Sequence, residues 1–207
     1  MLRTDRHIPW MTLLLSGLAA ALFAVAGPAP AEWVYDRDVI AGGQVWRLLS
    51  AHLLHSDLEH LLWNLAGLAI LGSVVERHFG GKLLLGGLLL GSLLVDLVLW
   101  TAMPWLSYYC GLSGVLNTLL VTALAALWRQ SPQITLLVGA GSLLKILWEM
   151  TTGQALLTHT TWAAVPAAHL AGWLAGLLLV PALWPVHTTP SRPLSMPAAG
   201  NRSATRK

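Results

Sequence analysis

Four polar side chains stand inside otherwise apolar stretches of this chain, and their types are those of acyl-transfer chemistry. Ser113 lies between glycines in Gly111-Leu112-Ser113-Gly114, His169 opens the run His169-Leu170-Ala171-Gly172, and His60 and Asn64 are four residues apart. A serine within hydrogen-bond reach of a histidine is a nucleophile with its general base. An imidazole titrating near neutrality takes the hydroxyl proton and returns it to a leaving amine. The tetrahedral oxyanion then needs donors, which the Asn64 amide, the His60 imidazole and the Ser113 backbone N–H would supply. No carboxylate is well placed to orient His169, so the expected arrangement is a dyad rather than a triad.

The elements that carry these residues are membrane helices. The chain has 207 residues, of which 56% are hydrophobic and only 10% charged. Soluble domains carry about a quarter charged residues, so this is an integral membrane protein. Six segments approach the ~20 apolar residues that a bilayer crossing needs: 8–27, 58–76, 82–103, 112–128, 133–151 and 163–184. The first also has features of a signal peptide, with Arg3 and Arg6 ahead of it and Ala29-Pro30-Ala31 after it. Its apolar run from Trp10 to Ala26 is longer than a usual signal core. Residues 1–184 read as one membrane domain, and 185–207, rich in Pro, Ser, Ala and Arg, as a disordered tail.

Orientation follows from the Lys and Arg in short flanks. Arg3, Arg6, Arg77, Lys82, Arg129, Arg192, Arg202, Arg206 and Lys207 fall on one side, which places both termini in the cytoplasm. Loops 27–57, 104–111 and 152–162 then face outward, with Trp33, Trp46, Trp105 and Trp162 as an outer aromatic belt. Trp10, Trp128 and Trp184 form the inner belt.

Depth gathers the polar residues. Ser113 precedes Arg129 by sixteen residues, about 24 Å of helix, against a hydrocarbon core of about 30 Å. His169 lies about 10 Å below Trp162, and His60 and Asn64 about 5 and 10 Å below Asp57. All four therefore occupy one layer near the outer surface. His60 and Asn64 share one helix stripe, and His169 shares another with Gly172 and Gly176. Gly172-x-x-x-Gly176, with Gly111 and Gly114 opposite, permits close backbone approach. Polar groups at such depth are expensive and are functional candidates by default.

Other residues have plainer readings. Cys110 is the single cysteine, so no intrachain disulfide forms, and it reads as a small packing residue. His52 and His55 read as loop anchors or solvated groups, and Asp96 as a capped or water-facing carboxylate. Lys145 and Glu149 read as a snorkelling i, i+4 ion pair. The histidines show no H-E-x-x-H pattern and no cysteine cluster exists, so neither a metal nor another cofactor is expected. The scattered basic residues make no nucleic-acid stripe. A transporter is disfavoured, because no pair of broken helices recurs in repeated halves.

These motifs resemble the rhomboid family of intramembrane serine proteases. Gly111-Leu112-Ser113-Gly114 matches its G-x-S-G, His60-Leu61-Leu62-Trp63-Asn64 its H-x-x-x-N, and Ala168-His169 through Gly176 its A-H-x-x-G-x-x-x-G. Trp46-Arg47 and Glu76-Arg77-His78-Phe79-Gly80 also match, in family order over roughly residues 44–180. The resemblance implies the all-α six-helix fold, Ser113 as nucleophile, His169 as base, and His60, Asn64 and the Ser113 N–H as oxyanion hole. Within the family, Tyr108–Leu116 is most similar to rhombosortases of the bacterial inner membrane, with the site opening to the periplasm. These release exported proteins from a C-terminal anchor made of a glycine-rich motif, one hydrophobic helix and a basic end. One position departs: Asn117 stands where the family carries an aromatic or a histidine, and its amide has the reach to hydrogen-bond His169. The alternatives are a general rhomboid protease acting on other single-pass proteins, and a non-catalytic rhomboid-like binder of membrane helices.

Overall fold

A computed structural model of the chain describes residues 8–156 and 158–183. The tail expected at 185–207, Arg3, Arg6 and Trp184 lie outside the described residues. Helix α1 (Trp10–Ala26) leads through strand β1 (Tyr35–Asp36) and the short helices α2 (Arg37–Ala41) and α3 (Arg47–Ser50) to a 3₁₀ turn at Ala51–Leu53. Helix α4 (Leu58–Gly67) continues through a π turn (Leu68–Gly72) into α5 (Ser73–Phe79), so that one rod spans Leu58–Phe79. Helix α6 (Gly81–Ala102), strand β2 (Tyr108–Tyr109), α7 (Ser113–Leu127), α8 (Pro132–Thr152) and α9 (Pro166–Leu183) complete the order.

Four of these rods are long and apolar enough to cross a membrane: Leu58–Phe79, α6, α8 and α9. Helices α1 and α7 are equally apolar but shorter, at 17 and 15 residues. All six expected segments are therefore helical, with altered ends. The second runs three residues past its expected end, to Phe79, and stops where Gly80 takes a φ of 85°. A glycine in this region ends a helix without a Cβ clash. The sixth starts at Pro166 rather than at 163, because proline fits the first helical turn and disfavours helix before itself.

Helix α7 is the axis of the molecule, packed principally between α9 and α6. Its Val115 and Leu119 are fully buried with Leu68, Val75 and Leu84. A second cluster of Tyr35, Val95, Leu99, Tyr109, Ala168 and Ala171 closes the other end. Contact between α7 and α9 is backbone to backbone. A Cβ on Gly172 would overlap the Gly114 carbonyl oxygen, and one on Gly176 would sit 2.6 Å from Val121 Cβ. The Thr118 hydroxyl donates to the Gly172 carbonyl at 2.9 Å and stitches the pair.

The long loop 27–57 is itself a built layer. Strands β1 and β2 pair antiparallel, Tyr35 with Tyr109 and Asp36 with Tyr108, which ties this loop to the residues just ahead of Ser113. The guanidinium of Arg37 lies 4.5 Å over the Trp100 ring and donates to the Leu99 and Trp100 carbonyls, capping the C-terminus of α6. Buried Arg47 donates to the Ala31 and Val34 carbonyls at 2.6 and 2.9 Å. At the opposite end, the Glu76 carboxylate accepts from the Met11 and Thr12 backbone N–H groups and the Thr12 hydroxyl. A carboxylate at these unpaired N–H groups complements the start of α1.

Candidate active site

The chain reaches Ser113 through a constrained turn. Gly111 has a φ of 120°, and a Cβ there would lie 2.5 Å from the His60 ring, so the position requires glycine twice over. Its N–H donates to the Ala51 carbonyl at 3.0 Å, and its own carbonyl accepts from the Tyr109 hydroxyl at 3.1 Å. Ser113 is then the first residue of α7, where backbone N–H groups lack an intrahelical partner. Its Oγ lies 3.0 Å from His169 Nε2. The sequence placed these two residues at one depth, and the fold brings them into hydrogen-bond contact.

His60 and Asn64 sit on the neighbouring face of α4. The Asp57 side chain caps this helix by accepting from the His60 N–H at 2.8 Å, and also accepts from the Thr161 N–H at 2.7 Å. Burial raises its pKa, but these N–H groups and the Ser56 hydroxyl outweigh it and hold Asp57 down to about 2. The Ser56 hydroxyl also contacts His60 Nδ1 at 3.0 Å, fixing the ring over Gly111. Asn64 is buried, and its Nδ2 has no hydrogen-bond partner among the described residues. A buried amide donor left open is costly unless something arrives to accept from it.

Ser113, His169, His60 and Asn64 all line one cavity of about 800 Å³, walled by aromatic residues that include Trp63, Tyr108 and Trp162. Asn117 also reaches it, yet its amide donates to the Ser113 carbonyl at 2.9 Å instead of to His169. Four residues along a helix is the reach of a side chain to its own backbone carbonyl, and that local partner wins.

The expectation of no carboxylate near His169 is corrected. Glu149 on α8 is buried, with Oε2 at 3.5 Å from His169 Nδ1. Its Oε1 takes the Lys145 ammonium at 2.6 Å, so the expected ion pair forms, and also accepts from the Leu156 N–H at 2.8 Å. Glu149 faces the inside of the bundle, and Lys145, partly exposed, lines the cavity.

His52 and His55 are likewise not solvated. His52 is buried with Nε2 3.3 Å from Asp96 Oδ1, so Asp96 is a buried partner and not a water-facing group. His55 packs edge-on against the His60 ring at 5.1 Å, and burial, aided by the neighbouring His60, pushes it down to about 3. It is neutral at ordinary pH. Cys110 packs with Val34 and Leu54 beneath the turn, where burial pushes the thiol up to about 12. That agrees with a packing role.

A model of the Rhomboid domain matches residues 42–186. The chain is similar to the rhomboid protease GlpG of Pectobacterium atrosepticum, at 30% identity over 178 residues covering 84% of this chain and 58% of that protein. It is also similar to RHOMBOID-like protein 4 of Arabidopsis thaliana, at 43% identity over 44 residues, or 21% of this chain and 11% of that protein. The chain thus spans less than two thirds of either curated relative.

Proposed function

The chain belongs to the rhomboid family, and from that premise we propose that it is an intramembrane serine protease. The observation that carries the reading is the 3.0 Å contact between Ser113 Oγ and His169 Nε2 inside a cavity of about 800 Å³. Ser113 Oγ attacks a peptide carbonyl carbon while His169 Nε2 takes the hydroxyl proton. The oxyanion accepts from the Ser113 backbone N–H, from the open Nδ2 of Asn64 and from His60. Collapse breaks the C–N bond, and His169 delivers its proton to the departing amine. Water entering the cavity then repeats the sequence on the acyl-serine, with His169 again as base.

The six apolar helices serve as six spans with both termini cytoplasmic, in one membrane domain over 1–184, and the cavity opens to the periplasmic face of a bacterial inner membrane. The excess of Lys and Arg in alternate loops supports this orientation. The substrate is the C-terminal anchor of an exported protein: a Gly-Gly motif, one hydrophobic helix and a basic end. The resemblance of Tyr108–Leu116 to rhombosortases supports that choice. A glycine pair also weakens helix at the anchor's outer end, by about 1 kcal/mol per glycine relative to alanine, and so exposes a scissile carbonyl. The aromatic rim at Trp105, Tyr108 and Trp162 suits a segment without side chains, since glycines admit close approach to the nucleophile.

The test is co-expression with an exported reporter bearing such an end, followed by the mass of its C-terminus. Shortening near the glycines with wild type, and none with Ser113→Ala or His169→Ala, is the expected result. An intact reporter, with cleavage of single-pass proteins lacking the glycine motif, would move the assignment to a general rhomboid protease. No cleavage of either substrate would remove the enzymatic reading.

A further inference from the structure

Resting on that reading of Ser113 and His169, we infer that Glu149 is the positioning residue of the site, a third member that holds His169 through Nδ1. Imidazole has two nitrogens, and Ser113 uses only Nε2. For Nε2 to accept the serine proton, the resting proton must sit on Nδ1. The group facing Nδ1 is Glu149 Oε2, at 3.5 Å. That oxygen is buried and has no hydrogen-bond partner among the described residues, whereas Oε1 of the same carboxylate is saturated by Lys145 and Leu156. A buried carboxylate oxygen without a donor is expensive, and the donor in range is His169 Nδ1–H.

The carboxylate is itself held firmly. Lys145 one turn earlier on α8 compensates its charge at 2.6 Å, and the Leu156 N–H fixes its rotation from the loop beyond the helix. The imidazole therefore faces the negative end of a neutral Lys–Glu pair. As His169 becomes imidazolium during proton transfer, attraction to Oε2 grows, and closing the gap by about 0.5 Å would complete a charge-assisted bond. Glu149 thus selects the working tautomer in the ground state and stabilises the cation formed in the transition state, without touching substrate.

A purely structural role, tying α8 to the loop through Leu156, makes different predictions. The charged and titratable groups around His169 are Glu149 and Lys145 on α8, Ser113 on α7 and His60 on α4. Full-length protein in detergent, as wild type, Glu149→Gln and Glu149→Asp, would be compared on the glycine reporter, with thermal midpoints measured alongside. The glutamine keeps shape and the Leu156 contact but loses the charge. Its expected kcat is about 10²-fold lower with KM nearly unchanged, between no effect and the ~10⁴ loss of a tightly bonded triad carboxylate. The acid limb of kcat/KM should move to lower pH, because the imidazolium loses its counter-charge, and Glu149→Asp should recover part of the rate. Imidazole ¹⁵N shifts of His169 in the wild type read the tautomer without any variant, and Nδ1–H is expected. A Glu149→Gln enzyme within about two-fold of wild type in kcat, an unmoved acid limb, or an Nε2–H tautomer would overturn the inference while leaving the nucleophile assignment intact. Wild type that neither cleaves nor is labelled at Ser113 by a fluorophosphonate would overturn both.

Discussion

Replacing Gly172 by alanine should disable the site without touching any reacting group. Gly172 lies one turn below His169 on α9, and its Cβ would fall 2.8 Å from the Gly114 carbonyl carbon and nearer still to the oxygen. Both offending atoms are backbone, so no rotamer relieves the overlap and the helices must separate. Restoring an ordinary contact of about 3.5–4 Å needs roughly 1 Å or more of displacement. Such a shift stretches the Ser113–His169 contact from 3.0 Å to about 4 Å, outside hydrogen-bond range. It also weakens the Thr118 to Gly172 bond. Misplacement by about 1 Å costs about 10²-fold in rate, and overpacking a close interface costs about 1–3 kcal/mol of stability. The assay is reporter cleavage in parallel with thermal unfolding in detergent, with Gly86→Ala and Gly141→Ala as controls, since a Cβ at either meets open space. Those controls should unfold no lower than wild type, because alanine is the better helix former. If Gly172→Ala cleaves at the wild-type rate with an unchanged midpoint, the backbone contact of α7 and α9 does not set the geometry of the site.

If Asn64 serves the oxyanion as proposed, Asn64→Ala should lower kcat by about 10²–10³-fold with little change in KM; an equal loss in both Ser113 labelling and substrate binding would assign Asn64 to packing. Asp57, held down to about 2 by its N–H and hydroxyl donors against burial, has a folded pKa below its unfolded one. Its contribution to stability is therefore complete above about pH 4 and disappears as pH falls toward 2. The thermal midpoint of Asp57→Asn should lie below wild type at pH 6 and converge with it near pH 2, and parallel curves would refute the cap. Cys110, buried and with its thiol pushed up to about 12, should resist maleimide in the folded protein at pH 7.5 and react after denaturation, as read by intact mass.

What was legible in the sequence was everything carried by period and depth. The apolar runs located the six helices, and the rise per residue put Ser113, His169, His60 and Asn64 in one layer. Glycines at Gly114, Gly172 and Gly176 foretold the close packing of α7 on α9, and the structure shows a contact with no room for a methyl group. The loop 27–57 was opaque for a physical reason. Its pairing with Tyr108–Tyr109 is only two residues long and its helices span five and four residues, too short for periodicity to register. Arg47 was visible only as half of the Trp46-Arg47 motif, but what it binds is backbone carbonyls at Ala31 and Val34, which leave no mark in composition.

Glu149 marks a different limit. The i, i+4 spacing to Lys145 predicts an ion pair, which forms through Oε1, but a carboxylate has a second oxygen whose neighbour that spacing does not name. Spacing along one helix says which neighbours share a stripe; it does not say which way the stripe faces. The rotation of α8 is set by its packing on α9, where the Trp173 indole N–H donates to the Ser142 hydroxyl, one turn before Lys145. That contact fixes the stripe Ser142, Lys145, Glu149 toward the bundle interior and so toward His169. One clue was nevertheless present: a glutamate near a membrane helix end gains most by snorkelling toward water, whereas Glu149 is followed by Met150, Thr151 and Thr152 before the helix ends. An acid held nearly a full turn from the helix end has room for partners beyond Lys145, and the Leu156 N–H is one of them.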